Sequence, residues 1–404
     1  MYIQRQLEEV ILRSSRTFPA LLLTGPRQSG KSTLLHHLAE DNRIYVTLDD
    51  PAVRDVAKTA PELFFQQFKP PMVLDEVQYA PQLFPYIKMI IDERNENGLF
   101  WMTGSQLFEM MWNVQESLAG RVSLLNLYGF SQAEKENRKV SAFPPPLEEL
   151  IEAYKNMPMK TTAEIFEIIW QGSMPRVFTE SEIDLDSFYI SYTQTYLTRD
   201  VKLITNISDE VQFLRFIRLI AARTAQELNL TALARELSVS ANTCRNWLDI
   251  LIATGLVVEM PAYSGNLSDR LIKRPKIFFM DTGLACYLTG WSDVRALQSS
   301  AYSGAIFETW VVSEILKSWW YNGKKPQFTY YRDRLLKEID LIIPRNMQIL
   351  PFEIKKSTSP SHAMKNFPAI EKLNAEVGFG GVLSMSPNLL PISENKWMIP
   401  VSLL

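Results

Sequence analysis

The chain has 404 residues, of which 46% are hydrophobic and 22% charged, and these globular proportions predict about two to four domains. A net charge of −3 excludes an overall polycation, so nucleic-acid binding would require local basic patches. Two cysteines and three histidines exclude a disulfide framework and a cysteine-rich zinc site. We expect a cytoplasmic protein without membrane contact, because the sequence has no signal-peptide core and no apolar run of about 18 residues.

The pattern of residues 1–142 predicts an α/β domain. After an amphipathic N-terminal helix, short apolar segments alternate with helical stretches. Strands that alternate with helical crossovers predict a mostly parallel sheet that is covered by helices on both faces. The five predicted strands lie at residues 20–25, 43–50, 71–76, 98–104 and 121–127.

A phosphate-binding loop follows the first predicted strand and opens the next helix. It fits the pattern G-x-x-x-x-G-K-[ST] at every required position. In such a loop, backbone amides and the helix N-terminus face phosphate groups. Lys31 is expected to reach the β and γ phosphates of ATP, and Ser32 to help hold Mg²⁺. The candidate nucleotide-binding residues are Gly25, Pro26, Arg27, Gln28, Ser29, Gly30, Lys31, Ser32 and Thr33.

The third predicted strand supplies the second half of a nucleotide site, because it ends in Asp75 and Glu76. This ending places one carboxylate near the magnesium ion and leaves the next free to polarise a water molecule. Asp75 is therefore a candidate metal ligand together with Ser32, and Glu76 is a candidate catalytic residue.

With these motifs the chain resembles the AAA+ ATPases, specifically bacterial and archaeal members with an uncharacterised C-terminal region. The resemblance implies a polar sensor residue after the fourth strand, either Thr103 or Ser105. It also implies that Arg121 is an arginine finger acting on a neighbouring subunit of a homo-oligomer, where a guanidinium stabilises charge on the transferred phosphoryl group. The alternative is a surface arginine that caps a helix C-terminus.

A helical lid and a winged helix-turn-helix are predicted after the first domain. Three prolines at residues 144–146 mark the linker, and in the lid the QGSMPRV segment would place Arg176 as a second sensor. Residues 230–260 have the spacing of two helices followed by a wing. DNA binding and protein docking both stay open for this module, because its second helix is only modestly basic. Further basic residues, available for phosphate contacts, are Arg270, Lys273, Arg274 and Lys276.

The C-terminal segment places charged residues within apolar strands. Glu308 lies early in a predicted helix, and Asp340 lies between apolar residues of a predicted strand. Glu353 and Lys355 are two residues apart, so they project from the same face of the next strand. Because burying an unpaired charge is costly, we expect these groups to converge.

This order of residues resembles the restriction-endonuclease-like nuclease superfamily, in which acids bind magnesium and a lysine orients or deprotonates the attacking water. The resemblance implies metal binding by Asp340 and Glu353, with Glu308 and Lys355 completing a catalytic centre. The chain departs from the superfamily at Ile339, where a proline usually stands. Active cleavage, nucleic-acid binding without cleavage and a purely structural ion-pair cluster all stay open.

We therefore predict an α/β multidomain protein with ATP and Mg²⁺ as cofactors. Its units are an AAA+ core with a parallel five-stranded sheet (1–142), a helical lid (143–205), a winged helix-turn-helix (206–285) and a restriction-endonuclease-like α/β domain (286–404). The first functional reading is magnesium-dependent ATP hydrolysis coupled to DNA binding or processing. The alternative is a nucleotide-dependent switch or scaffold, whose inactive nuclease-like domain binds protein partners.

Overall fold

A computed structural model describes residues 2–104, 118–195, 210–263, 274–360, 363–372 and 375–404. The candidate residues Ser105, Arg270 and Lys273 lie outside these ranges. Within them, no helix combines the length and the apolar character that crossing a membrane would require.

The N-terminal domain is built on a parallel sheet. Its strands are β1 (Ala20–Thr24), β2 (Ile44–Thr47), β3 (Met72–Asp75), β4 (Phe100–Gly104) and β5 (Val122–Asn126). Among the described residues these form a five-stranded sheet of order β2-β3-β4-β1-β5, in which every pairing is parallel. Every residue of β1, β3 and β4 is buried, as expected for central strands covered on both faces. The predicted sheet is confirmed.

Helices cover both faces of this sheet, and their starts follow local capping rules. The Asp50 side chain accepts the backbone amides of Ala52 and Val53, and Pro51 occupies the first helical position of one of them. A short helix after β5 begins with a capping box between Ser131 and Glu134. The helices are α1 (Glu8–Thr17), α2 (Lys31–Leu38), α3 (Pro51–Thr59), α4 (Pro61–Gln67), α5 (Leu83–Arg94) and α6 (Gln132–Lys135).

The next segment is helical, as predicted for a lid. Its helices are α7 (Leu147–Asn156), α8 (Thr162–Gln171), α9 (Pro175–Thr179) and α10 (Leu185–Thr195). The turn between α8 and α9 lies against the first domain, because the Phe130 amide donates to the Ser173 carbonyl at 2.7 Å. Lys135, at the end of α6, donates to the carbonyl of Gly172 in the same turn at 2.7 Å.

Residues 210–279 combine helices with a small antiparallel sheet. The elements are α11 (Glu210–Ala222), β6 (Gln226–Glu227), α12 (Leu230–Leu237), α13 (Ala241–Ala253), β7 (Val257–Met260) and β8 (Lys276–Phe279). In the described part of this module the strand order is β6-β8-β7. Leu233 and Leu237 are buried, and Ser240 caps α13 by accepting the Thr243 amide at 3.0 Å. The identity of the module as a winged helix stays a prediction.

The C-terminal domain packs one long helix against a mixed sheet. Helices α14 (Thr282–Leu288) and α15 (Val294–Ser299) lead into it. The remaining elements are α16 (Ser303–Trp320), β9 (Thr329–Arg332), β10 (Glu338–Arg345), β11 (Gln348–Lys355), β12 (Glu376–Val377), β13 (Gly380–Ser384), β14 (Leu390–Ser393) and β15 (Lys396–Pro400). In the described residues the sheet has the order β14-β15-β13-β11-β10-β9, and β12 pairs with β11.

The domains share a continuous apolar core, and helix α16 connects them. A continuous cluster of buried side chains extends from Leu23 of β1 to Phe352 of β11. Helix α16 also supplies hydrogen bonds to the backbone of residues 129–143, the segment that leaves the first sheet. Lys317 donates to the Phe130 carbonyl at 2.9 Å, and the Trp319 indole donates to the Phe143 carbonyl at 2.7 Å. The backbone groups of this segment therefore depend on the C-terminal domain for their partners.

Candidate functional site

The phosphate loop lies at the carboxyl end of β1, where it leads into α2. Gly25 has a φ of 143°, and a Cβ there would lie 1.9 Å from the Leu127 carbonyl oxygen, so only glycine lets the loop pass β5 so closely. Gln28 and Gly30 also have positive φ values, of 59° and 91°. Successive left-handed and right-handed residues turn backbone amides toward one concave side, which suits an anion.

Lys31 and Ser32 occupy the positions that the motif predicts. The Lys31 ammonium is buried and donates to the Gly25 and Pro26 carbonyls of its own loop, each at 2.9 Å. The Ser32 hydroxyl donates to Asp75 Oδ1 at 2.7 Å. The loop and the end of β3 are therefore joined through the two residues that were predicted to hold magnesium.

Asp75 is the centre of a hydroxyl network. The Thr103 hydroxyl at the end of β4 donates to Asp75 Oδ1 at 2.5 Å, which brings this predicted sensor residue into the site. The Tyr45 hydroxyl on β2 donates to Asp75 Oδ2 at 2.7 Å. Tyr45 was not predicted from the sequence, because an alternating strand gives no sign of which residue reaches the neighbouring strand.

Glu76 adopts an unusual backbone conformation. Its φ is 58° and its ψ is 46°, in the left-handed region that non-glycine residues seldom occupy. Its amide donates to the Thr103 hydroxyl at 3.0 Å, and the Gln78 side-chain amide donates to its carboxylate. Such strain persists only where the surroundings enforce it, and it is frequent at functional sites.

A cavity of about 500 Å³ opens beside the phosphate loop. Gln28 and Thr33 line one side of it, and Tyr2, Phe130 and Arg176 line the others. This volume lies within the range of about 300–1,000 Å³ that small-molecule sites usually have. The cavity places Arg176, the predicted second sensor, close to the loop, and its exposed guanidinium pairs with Glu180 at 2.9 Å.

Arg121 lies at the surface, just before β5. Its guanidinium donates to Asp92 at 2.7 Å and to the Ala119 carbonyl at 3.3 Å. The second contact resembles the helix-capping alternative, whereas its exposure fits a residue that reaches a neighbouring subunit. An exposed ion pair of this kind stabilises a fold little and exchanges easily for another anion.

The buried residue Arg5 connects the phosphate loop to the rest of the molecule. Its guanidinium donates to the Ser29 carbonyl in the loop at 3.0 Å and to the Tyr128 carbonyl after β5 at 2.9 Å. It also donates to the Tyr321 hydroxyl at the end of α16 at 3.2 Å and to the Glu134 carboxylate at 3.0 Å. One side chain therefore bridges the nucleotide loop, the first sheet and the C-terminal domain.

Arg5 and Glu134 were not predicted from the sequence. A buried carboxylate needs several donors, and Glu134 also accepts the amides of Gln6 and Ser131, each at 2.9 Å. The spacing of Ser131 and Glu134 is that of a capping box, which was the available signal for a helix start here. Nothing in the sequence indicates that Arg5 is the distant partner.

The turn after α13 also contacts the phosphate loop. Gly255 has a φ of 74°, and a Cβ there would lie 3.1 Å from Pro26 Cδ and 3.4 Å from Tyr128 Cε1. Residues 210–279 and the nucleotide loop are therefore in direct contact.

In the C-terminal domain, Asp340, Glu353 and Lys355 converge as the sequence predicts. The Lys355 ammonium donates to Asp340 Oδ2 at 2.8 Å and to Glu353 Oε2 at 2.6 Å. Asp340 also accepts the Ile354 amide at 2.8 Å. Glu353 Oε1 is buried and accepts no hydrogen bond from the described residues, so this oxygen is available to a proton or a cation.

The surroundings shift the pKa values of these groups in different directions. Burial and the adjacent Asp340 carboxylate raise the pKa of Glu353 to about 9. Burial opposes the charge of Asp340, but Lys355 and Lys276 outweigh it and lower the pKa of Asp340. Burial likewise opposes the charge of Lys355, yet the two acids raise its pKa above the ordinary value. At neutral pH the cluster therefore holds a charged Asp340, a charged Lys355 and a protonated Glu353.

Glu308 is held by a different lysine. Lys276 of β8 donates to Glu308 at 2.9 Å and to Glu338 at 2.6 Å. Burial raises the pKa of Glu308 to about 7, with Lys276 opposing the rise and Asp340 adding to it. The Lys276 side chain is only 3% exposed, so the prediction that it contacts phosphates is wrong. A lysine at the start of a strand gives no sequence signal of this burial.

Among the described residues, no group of three or more acids, histidines or cysteines is arranged to hold a metal ion. The metal ion predicted for the C-terminal domain would therefore have only Asp340 and Glu353 as its acidic ligands. On α13, Arg245 pairs with Asp249 at 2.5 Å and with Glu259 at 2.9 Å, so the positive charge of this helix is neutralised.

Three family models match the chain. Residues 17–135 match a model described as an AAA domain. Residues 162–295 and 303–404 match two domains of unknown function, designated DUF8612 and DUF4143. The first of these two matches covers parts of the predicted lid (143–205), the whole predicted winged helix-turn-helix (206–285) and the first ten residues of the predicted C-terminal domain (286–404).

Similar proteins extend over most of the chain. Uncharacterized proteins of Mycobacterium bovis and Mycobacterium tuberculosis are each 28% identical over 365 residues, which is 89% of this chain and 76% of theirs. A solved structure, a Walker-type ATPase of Pyrococcus abyssi, is 13% identical with a TM-score of 0.44, over 71% of this chain and 96% of that one.

The family match, the sheet order and the phosphate loop identify the first domain as a P-loop ATPase domain of the AAA type. Domains of this class bind and hydrolyse ATP. The two C-terminal family models are described without a function.

Replacing Lys276 by methionine tests the buried ion pairs. Removing one partner of a buried pair costs about 3–5 kcal/mol of unfolding free energy, so the variant should unfold at lower urea concentration. The raised pKa of Glu308 makes stability fall as pH rises from the unfolded pKa to the folded one. Without Lys276 the fall in stability should be larger, because Lys276 would no longer offset the buried charge of Glu308. The difference in unfolding free energy between the variant and the unmodified protein should therefore be larger at about pH 8 than at about pH 5.

Lys139→Met is the matched control, because it removes an ion pair with Glu9 whose side chains are 60% and 69% exposed. This variant should unfold almost as the unmodified protein does at both pH values. Equal losses for the two lysine variants would contradict the buried role of Lys276.

Proposed function

We propose that the chain is a magnesium-dependent ATPase whose nucleotide state is communicated to a C-terminal domain that binds nucleic acid. The observation that carries the ATPase proposal is the Asp75 network, in which Ser32 and Thr103 both donate to Oδ1. A serine hydroxyl and a carboxylate that already lie together fit a hydrated magnesium ion. MgATP would supply the phosphoryl group and neutralise its charge.

The chain's own residues have distinct roles in this proposal. Lys31, which now donates to loop carbonyls, would turn its ammonium to the phosphate oxygens. Glu76 would accept a proton from the attacking water, and Thr103 would hold both Asp75 and the Glu76 backbone in place. Arg121 would leave Asp92 and stabilise charge in the site of a neighbouring subunit, which requires a homo-oligomer.

A second function, at the C-terminal domain, is favoured by the convergence of Asp340, Glu353 and Lys355 on paired strands. The donor-free Glu353 Oε1 beside Asp340 fits a divalent cation that would replace the proton. Lys355 would orient the water and stabilise phosphate charge, because its raised pKa makes it a poor base. Water would attack phosphorus while the bond to the leaving sugar oxygen breaks, and the proton that the water loses would pass through solvent to that oxygen.

A competing reading is also supported by specific contacts. Lys276 already neutralises Glu308 and Glu338, and Arg245 is paired with acids. These contacts fit a nucleotide-dependent switch whose nuclease-like fold binds protein partners without chemistry. The interfaces at Arg5 and Gly255 serve either reading, because both join the nucleotide loop to the later domains.

Lys31→Ala and Glu76→Gln should each lower magnesium-dependent phosphate release by about a hundredfold or more. The first loses the phosphate contact and should bind ATP weakly, whereas the second keeps ATP binding. Lys58→Ala, an exposed residue of α3, is the control and should keep full turnover. Unchanged phosphate release in Glu76→Gln would contradict its role.

The same assay tests Arg121 in trans. Arg121→Ala should bind ATP and fail to hydrolyse it. Mixed with Lys31→Ala, it should regain activity, because the second variant supplies an intact arginine to the intact loop of the first. A mixture that stays inactive while the subunits still associate would indicate the helix-capping role instead.

Cleavage is tested by incubating the full chain with Mg²⁺ or Mn²⁺, ATP and a panel of DNA and RNA forms. We expect metal-dependent products that disappear in Asp340→Ala and Lys355→Ala and persist in Glu394→Ala, an exposed control in the turn between β14 and β15. Cleavage that survives in Asp340→Ala would exclude this centre. Binding without cleavage would favour a non-cutting nucleic-acid role, and neither binding nor cleavage would favour the protein-partner switch.

A further inference from the structure

An unusual pair of leucines stands at the tip of the β9–β10 hairpin. Leu335 and Leu336 are 73% and 70% exposed, more than any other leucine among the described residues. Because they are adjacent, they form one exposed apolar patch instead of two isolated surface residues. Packing of the domain gives no reason for them, since both side chains point away from its core clusters.

The tip is held in a fixed conformation. Asp333 Oδ1 accepts the amides of Leu335 and Lys337, at 2.8 and 2.9 Å. The Asp333 amide donates to the Lys337 carbonyl at 3.0 Å, and the Leu336 amide donates to the Asp333 carbonyl at 3.1 Å. Leu336 has a φ of 60°, where glycine or asparagine would be less strained. A bulky apolar side chain kept at such a position points to a use for the side chain.

Two cations flank the leucines, while the nearby carboxylates have other partners: Asp333 accepts backbone amides of the tip, and Glu338 pairs with Lys276 and Arg332. Arg334 is exposed and Lys337 half-buried, and neither forms an ion pair with another described residue. Two cations that flank an apolar patch match a duplex, in which phosphates lie on either side of stacked bases. A lipid surface would also offer phosphates, but the position of the tip favours a nucleic acid.

The tip leads directly into the strand that carries Asp340. Asp340 is four residues after Leu336, and because β10 begins only at Glu338, the two residues lie at most about 13 Å apart. That span corresponds to at most about four stacked base steps along one strand of a duplex. A duplex seated on the tip would therefore have its backbone near Asp340 and Lys355.

We propose that residues 334–337 form a wedge that docks on duplex DNA, with Leu335 and Leu336 entering between base steps and Arg334 and Lys337 contacting the flanking phosphates. This inference rests on the nucleic-acid function proposed above for the C-terminal domain. The wedge unstacks bases next to the Asp340 centre, and it gives the domain an anchor that does not depend on the neutralised helix α13.

The test compares the full chain with the double variant Leu335→Ser, Leu336→Ser and with Met347→Ser. Met347 is 97% exposed at the opposite end of β10, so it is a matched apolar control. Binding is measured by fluorescence anisotropy with a labelled DNA duplex in EDTA, which keeps the duplex intact. A second duplex that contains 2-aminopurine reports unstacking.

The double variant should bind the duplex about tenfold more weakly and should lose the rise in 2-aminopurine fluorescence. Met347→Ser should behave as the unmodified chain in both assays. Thermal unfolding of all three proteins should coincide, because the substituted side chains are exposed.

Duplex binding that is equal in all three proteins would overturn the wedge and leave the nucleic-acid function intact. No duplex binding by the unmodified chain would refute that function and the wedge with it. Binding to anionic phosphatidylglycerol vesicles that only the double variant loses, with duplex binding unchanged, would assign the tip to a membrane surface and overturn the proposal.

Discussion

The buried Arg5 guanidinium is the constraint on which the arrangement of the domains depends. Removing an arginine from water is costly unless its N–H groups all find acceptors, and here these come from the phosphate loop, the end of β5, Glu134 and Tyr321. The acceptors belong to segments far apart in the chain. A shift of the Ser29 carbonyl on nucleotide binding would leave a buried donor unpaired, so the loop and α16 are expected to move together.

In the C-terminal domain, buried acids are likewise paired with charges of opposite sign, here mainly from lysines. Lys355 comes from the same sheet as Asp340 and Glu353, whereas Lys276 comes from β8 of the preceding module. The acids of the C-terminal domain are therefore neutralised partly from outside it. If residues 210–279 move relative to the sheet, Glu308 loses its cation and becomes available to another, whereas Glu338 keeps Arg332 of β9 at 3.7 Å. The contact of Gly255 with Pro26 connects that same module to the nucleotide loop.

Local features of this fold were predictable, and distant partners were not. The strands of the first sheet and the phosphate loop follow from short apolar runs and a fixed motif spacing, which depend on neighbouring residues. Glu353 and Lys355 share a face because a strand alternates, so their convergence also followed. Tyr45 and Arg5 were missed because each contacts residues in another element, and Arg5 and Tyr321 are 316 positions apart. Lys276 was expected to contact phosphates, whereas it is buried, because a cluster of basic residues does not show which of its lysines is buried.

Coupling between the two sites is tested most directly by measuring duplex affinity with and without a non-hydrolysable ATP analogue, in the unmodified chain and in Arg5→Lys. A lysine keeps the charge opposite Glu134 and loses the planar fork that reaches Ser29, Tyr128 and Tyr321. The account predicts that the analogue changes the duplex affinity of the unmodified chain by about tenfold and that Arg5→Lys, still folded and still binding each ligand, loses most of this change. A duplex affinity of the unmodified chain that is the same with and without the analogue would contradict it.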